Sequence, residues 1–243
     1  MQLPPLEPHR GVETVLMDID DTLWENNLYF IKSIRTLAHL GSRVGYTAKA
    51  VEHLLNRMED RVIPQYGLGY DSYEFSYMQA VVALIHSGKR PDLAGEFSAR
   101  ARRSLHELRY HPIQWIGGVL ITLPELTRRF PTIIVTKGSP RDQLAKVNRC
   151  GMAHLFKAAE VVPHKNPDCY AEVLTRHGLD PARTVMVGNS PRSDINQARR
   201  VGLRTVYIPH ALTWYREMEP IRAEGPRNIT IDCFDQLLDV LEK

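Results

Sequence analysis

A chain of 243 residues, 43% hydrophobic and 24% charged, with 15 Gly and 16 Pro, has a globular composition, which excludes collagen-like, disordered and coiled-coil chains. The formal charge of +3 comes without a dense basic run, so no nucleic-acid-binding surface is expected, and the length suits one core domain carrying an insertion. Cys150, Cys169 and Cys233 are too widely spaced for a disulfide framework and read as reduced thiols of a cytoplasmic protein. The polar, proline-rich opening lacks a signal peptide's apolar segment, and no apolar run is long enough for a membrane span.

In chain order, residues 12–18 (VETVLMD) form an apolar, β-branched run ending in acid, which suits a buried strand. From about 25 to 110 the apolar positions fall at helical spacing instead. Val51, Leu54, Leu55, Met58 and Val62 make one stripe, and Leu93, Phe97, Leu105 and Leu108 another. Asp71 and Glu74 have the spacing of a capping box opening a further helix, after a glycine-punctuated loop at 66–70 (YGLGY). Tyr70, Tyr73 and Tyr77 share a helical face and read as packing.

Beyond Pro112, apolar strands are predicted at 132–136, 159–162, 184–188 and 204–208. Helices fall between them, with Gly151, Gly178 and Gly202 as stops and Pro167 and Pro181 in first turns. Pro124, inside a predicted helix at 119–129, calls for a kink or a late start. This alternation predicts an α/β fold: a three-layer, Rossmann-like core with a mostly parallel sheet, interrupted by an all-helical insertion. The expected domains are a core, 1–24 with 111–243, and a helical domain, 25–110.

Ligands of such sheets bind beyond the carboxyl ends of the strands. Four predicted strands end in polar residues of complementary chemistry: Asp18-Ile19-Asp20-Asp21-Thr22, Thr136-Lys137-Gly138-Ser139, His164-Lys165-Asn166-Pro167, and residues 188–194 (GNSPRSD). Together these segments resemble the motifs of the haloacid dehalogenase superfamily, in its phosphatase branch. The match covers nearly the whole chain, with DIDDT as motif I, Thr136 as motif II, Lys165 as motif III and GNSPRSD as motif IV. The helical insertion is similar to that family's C1-type cap. One departure is Asn189, where many members carry an acid, so that Asp194 is the single carboxylate of motif IV.

The resemblance implies Mg²⁺-dependent hydrolysis of a small phosphorylated metabolite through an aspartyl-phosphate. Phosphoryl transfer needs a nucleophile, a proton donor and positive charge around the phosphoryl oxygens. Asp18 takes the first role; Asp20 protonates the leaving alcohol and then activates water. Asp18, Asp194 and the Asp20 backbone carbonyl are the expected metal ligands, and Thr136, Lys137 and Lys165 the phosphate-binding groups. With Asp20 protonated, Mg²⁺ and Lys165 outweigh Asp18 and Asp194. Asn189 and Ser190 are expected to orient the metal's surroundings, and Asp21 and Thr22 to brace the loop. Trp24, Asn27, Tyr66 and Tyr70 are candidates for substrate discrimination, with a hinge contact as the competing role for Trp24. His164 and His210, without partners at diagnostic spacing, read as structural. A phosphomutase, or a catalytically silent metal-binding interaction protein, remains the alternative.

Overall fold

The computed structural model describes residues 7–242; the proline-rich opening, 1–6, on which the signal-peptide reading partly rests, lies outside the described residues. The chain divides into two compact units, Met1–Glu25 with Ile113–Lys243, and Asn26–Pro112. Strand β1 (Thr14–Met17) belongs to the first, and helices α1 (Asn27–Ser42), α2 (Ala48–Tyr66), α3 (Tyr70–Ser87) and α4 (Ala94–Arg109) build the second. The first unit resumes with α5 (Val119–Arg129), β2 (Thr132–Lys137), α6 (Pro140–Arg149), β3 (Ala158–Val162), α7 (Pro167–His177) and β4 (Thr184–Gly188). After a π-helical turn, Pro191–Asn196, come α8 (Gln197–Arg200), β5 (Arg204–Tyr207) and β6 (Asn228–Thr230).

The six strands pair in parallel in the order β3-β2-β1-β4-β5-β6. Parallel strands are covered on both faces, and the period-two alternation sorts their side chains accordingly. Val15, Met17, Ile134, Val185 and Val187 pack with Val119, Leu123 and Leu126 of α5 on one face. Leu16, Ile133, Val135 and Met186 pack with Tyr170, Val173 and Leu174 of α7 on the other. Strand order reverses on either side of β1, so the ends of β1, β2 and β4 share the crevice where such sheets bind ligands.

Pro124 neither delays nor breaks α5, which begins at Val119. The ring removes one backbone donor, and the burial of Val119, Leu123 and Leu126 outweighs that loss.

In the helical unit, Leu37, Leu40, Val51, Leu55, Tyr77, Leu84, Phe97 and Leu105 form a separate core. Tyr73 and Tyr77 satisfy their buried hydroxyls on Ser33, at 2.7 Å to its Oγ and 2.9 Å to its carbonyl oxygen. The capping box does not form: α3 starts from Gly69 without a side-chain cap, and Asp71 accepts from Arg109 Nη2 at 2.5 Å instead. Among the described residues, no helix is long and apolar enough to cross a membrane.

Candidate active site

Asp18 immediately follows β1, and three other elements converge on it. Lys165 precedes α7, whose start is fixed by Asn166 Oδ1 accepting from Cys169 N–H at 2.8 Å and by Pro167 in the first turn. The buried Lys165 ammonium pairs with Asp18 Oδ1 and donates to Asp194 Oδ1 at 2.7 Å. Asp194 sits in the π-helical turn after β4, where its Oδ2 accepts from Ser190 N–H at 2.9 Å. Gly188, the last residue of β4, leaves room for it: a Cβ there would stand 2.3 Å from Asp194 Oδ2. Thr22 donates to Asp18 Oδ2 at 3.1 Å and lies 3.3 Å from Asn189 Oδ1, so it touches the expected nucleophile as well as bracing the loop.

Burial is the main cause that lifts the Asp18 carboxyl, to about 7; the Asp194 carboxylate adds to it and Lys165 opposes it. Burial opposes the charge on Lys165, yet the two carboxylates win and raise its pKa. Asp20 behaves in the opposite way to Asp18. Burial pushes its carboxyl up, but the Lys146 ammonium and donors from Gln143 and Trp24 bring it below its ordinary value. Lys146 Nζ lies 2.6 and 2.5 Å from the two Asp20 oxygens, and Gln143 Nε2 donates to Asp20 Oδ2 at 3.0 Å and to Thr136 Oγ1 at 2.7 Å. The expectation of a protonated Asp20 is thus corrected: the carboxylate is ionised, because a buried ammonium faces it.

Lys146 and Gln143 were not foreseen. Their signal is the three-residue spacing that puts an amide and an ammonium on the buried face of α6, beside Val147. Glu217 was missed as well: it takes the Lys137 ammonium and accepts the Ser190 hydroxyl at 2.5 Å. Lys137, expected on the phosphate, is therefore held by a carboxylate. Asn189 bridges Thr22 and Thr213, donating to Thr213 Oγ1 at 3.0 Å.

The residues suggested for substrate discrimination are divided between the two units. Trp24 is fully buried, donates its indole N–H to Asp20 Oδ1 at 3.0 Å and packs edge-on against Trp115. Of its two expected roles this favours the buried contact over substrate contact, because its one polar side-chain atom is already committed to Asp20. In the helical unit, Asn27 opens α1 and Tyr66, 68% exposed, ends α2. Tyr70 is 7% exposed, packed in that unit's core, so it is corrected from a substrate contact to a packing residue.

Asp18 and Asp194 offer hard carboxylate oxygens around a single ammonium, a donor set that fits a divalent cation. The Asp20 carboxylate is committed to Lys146, leaving its backbone carbonyl as a donor. Among the described residues, the carboxylates of Asp21 and Glu25 and the His210 ring also gather, their candidate ligand atoms all within 4.8 Å of one another. His210 therefore has partners after all. Its Nδ1 accepts from Leu212 N–H at 3.3 Å, and its Nε2 stands 3.3 Å from Glu25 Oε2.

Carboxylates and lysines at the carboxyl edge of a doubly covered parallel sheet make this an α/β enzyme with a polar, charge-dense site. Residues 15–208 match the model of the haloacid dehalogenase-like hydrolases, and the chain belongs to that family. It is 26% identical over 238 residues to a glyceraldehyde 3-phosphate phosphatase of Methanopyrus kandleri, covering 96% of this chain and 98% of that protein. It is 29% identical to a phosphoserine phosphatase of Thermus thermophilus, over 54% of this chain and 53% of that one. Among solved structures, a haloacid dehalogenase-like hydrolase of Xanthomonas campestris superposes with a TM-score of 0.78 at 25% identity, covering 95% of this chain and 92% of that one.

Proposed function

We propose that the protein is a Mg²⁺-dependent phosphatase that hydrolyses a small phosphomonoester through a phosphorylated Asp18. The observation that carries this reading is the buried cluster of Asp18, Asp194 and Lys165 at the reversal point of the sheet. A parallel sheet with one lone acid at this point would hold no such counter-charged set.

Three carboxylates, Asp18, Asp20 and Asp194, face two ammonium groups, Lys146 and Lys165. Alone, this set repels a phosphate dianion. Held by Asp18, Asp194 and the Asp20 carbonyl, Mg²⁺ would supply the positive charge that makes the site attract phosphate and stabilises charge on the phosphoryl oxygens. The net balance matches the one expected from the sequence, with Lys146 in place of a proton on Asp20.

In the first step an Asp18 oxygen bonds to phosphorus as the ester P–O bond breaks. The leaving oxygen takes a proton from the Asp20–Lys146 pair, which holds one proton between two groups. In the second step the pair regains that proton from the water that attacks phosphorus, and Asp18 is released with inorganic phosphate. Lys165 neutralises Asp18 between turnovers, and Thr136, oriented by Gln143, offers its hydroxyl to a phosphoryl oxygen. We assign the helical unit, inserted soon after Asp18, the role of cap. The relatives named for glyceraldehyde 3-phosphate favour a triose phosphate as the first substrate to try.

The test is phosphate release from a panel of small phosphomonoesters, glyceraldehyde 3-phosphate first, with Mg²⁺. Activity is expected in the parent and absent in Asp18→Asn and after exhaustive chelation. Equal rates in the parent and Asp18→Asn, or full turnover without metal, overturn the reading.

A further inference from the structure

Glu217 ends a short turn, Tyr215–Glu217, in the segment that follows β5, yet its buried carboxylate serves two other strand ends. Its Oε1 takes the ammonium of Lys137, the last residue of β2. Its Oε2 accepts the hydroxyls of Ser190 and Ser193 at 2.5 Å each. Strands β2 and β4 lie on either side of β1, so one carboxylate ties together the two strand ends that flank Asp18. The same segment adds Arg216, whose carbonyl accepts from Arg192 Nη1 at 3.1 Å, and Thr213, which meets Asn189.

The serines are the route to Asp194. Ser190 Oγ also accepts from Ser193 N–H at 2.9 Å, and its carbonyl accepts from Asp194 N–H at 2.9 Å and Ile195 N–H at 3.2 Å. Its own N–H donates to the Asp194 carboxylate. Holding the Ser190 and Ser193 hydroxyls therefore holds the turn that aims Asp194. Burial pushes the Glu217 carboxyl up, but the Lys137 ammonium and the two hydroxyls bring it down to about 2, so the charge persists across the working pH range.

We propose that Glu217 is a positioning residue that locks the Asp194 turn against the end of β2 and so sets the affinity of the site for its divalent cation. The cation half of this claim rests on the phosphatase reading above. It also gives a buried carboxylate, remote in sequence from every motif residue, a defined task.

The experiment titrates metal-free protein with Mg²⁺ by calorimetry and follows amide hydrogen exchange at Asp194 and Ile195. Glu217→Gln keeps the shape and removes the charge. It is expected to weaken Mg²⁺ binding by about tenfold or more, the usual effect of losing a group that orients a ligand, and to speed exchange at both amides, while the melting temperature of the metal-free protein falls by only a few degrees. Ser193→Ala, which removes one of the two hydroxyl contacts, is expected to act in the same direction by about two- to threefold, and it decides the matter should Glu217→Gln fail to fold. Mg²⁺ binding equal to the parent's in the variants overturns the proposal. A parent that binds no Mg²⁺ removes the phosphatase reading and the cation half together. The exchange rates then decide whether Glu217 holds the turn, and unchanged rates overturn that half too.

Discussion

Lys146→Met removes the ammonium that faces Asp20 and keeps most of the side chain's bulk. The Lys146 side chain is 4% exposed and that of Asp20 21%, with nitrogen–oxygen distances of 2.6 and 2.5 Å. Stranding one partner of a buried ion pair costs about 3–5 kcal/mol. Asp20 keeps a fifth of its surface in water and two further donors, which puts the expected loss at the lower end, ~3 kcal/mol.

The loss depends on pH in a defined direction. In the parent the Asp20 carboxyl lies below its unfolded value, so its contribution is present above the unfolded pKa and disappears as pH falls through the folded one. In the variant, burial acts without the opposing ammonium and the folded pKa rises. The buried group is then tolerated when protonated and costly when charged. The stability gap between parent and variant is therefore widest near about pH 8 and narrows toward about pH 5. Urea denaturation of metal-free protein measures it, with tryptophan fluorescence as the probe, because Trp24, Trp115 and Trp214 all lie in the unit that holds Asp20. An equal gap at both pH values, or none, refutes the reasoning.

Gly188→Ala places a Cβ 2.3 Å from Asp194 Oδ2; overpacking of this kind costs about 1–3 kcal/mol. Because the yielding atom belongs to Asp194, the proposed metal ligand, Mg²⁺ affinity measured by calorimetry should drop by at least about tenfold, and parent-like affinity contradicts the proposal. In metal-free protein, the Asp18 carboxyl is raised to about 7, above its unfolded value, so its contribution is complete below the unfolded carboxylate pKa and is lost as pH rises through about 7. The melting temperature in chelator should decline over that window and the decline should shrink in saturating Mg²⁺; a flat profile in chelator contradicts the assignment.

The strands were readable because parallel strands buried on both faces must be continuous apolar runs, as in TVLM and TVMVG. Asp18, Thr136, Lys165 and Asp194 were readable because each follows or ends such a run. Lys146 and Gln143 were not, since they arrive from the inner face of a helix, where a polar residue looks like a solvated one until the fold turns it inward. Glu217 is 80 residues from Lys137 and 27 from Ser190, and nothing local in its segment signals either partner. In the helical unit Tyr73 and Tyr77 pack as their helical spacing predicts. Yet periodicity alone could not separate buried Tyr70 from exposed Tyr66, because the two lie at opposite ends of one short loop. The capping-box spacing of Asp71 and Glu74 misled for a tertiary reason: Arg109 of α4 offers Asp71 a charged donor that outcompetes a backbone N–H.

The proposed phosphorylation of Asp18 is open to direct measurement. During turnover of a hydrolysable phosphomonoester with Mg²⁺, acid quenching followed by borohydride reduction converts an acyl-phosphate to an alcohol that peptide mass spectrometry can place. Homoserine at position 18, absent from samples lacking substrate, is the predicted result. Turnover with no modification at Asp18, or with the label on another carboxylate, contradicts it.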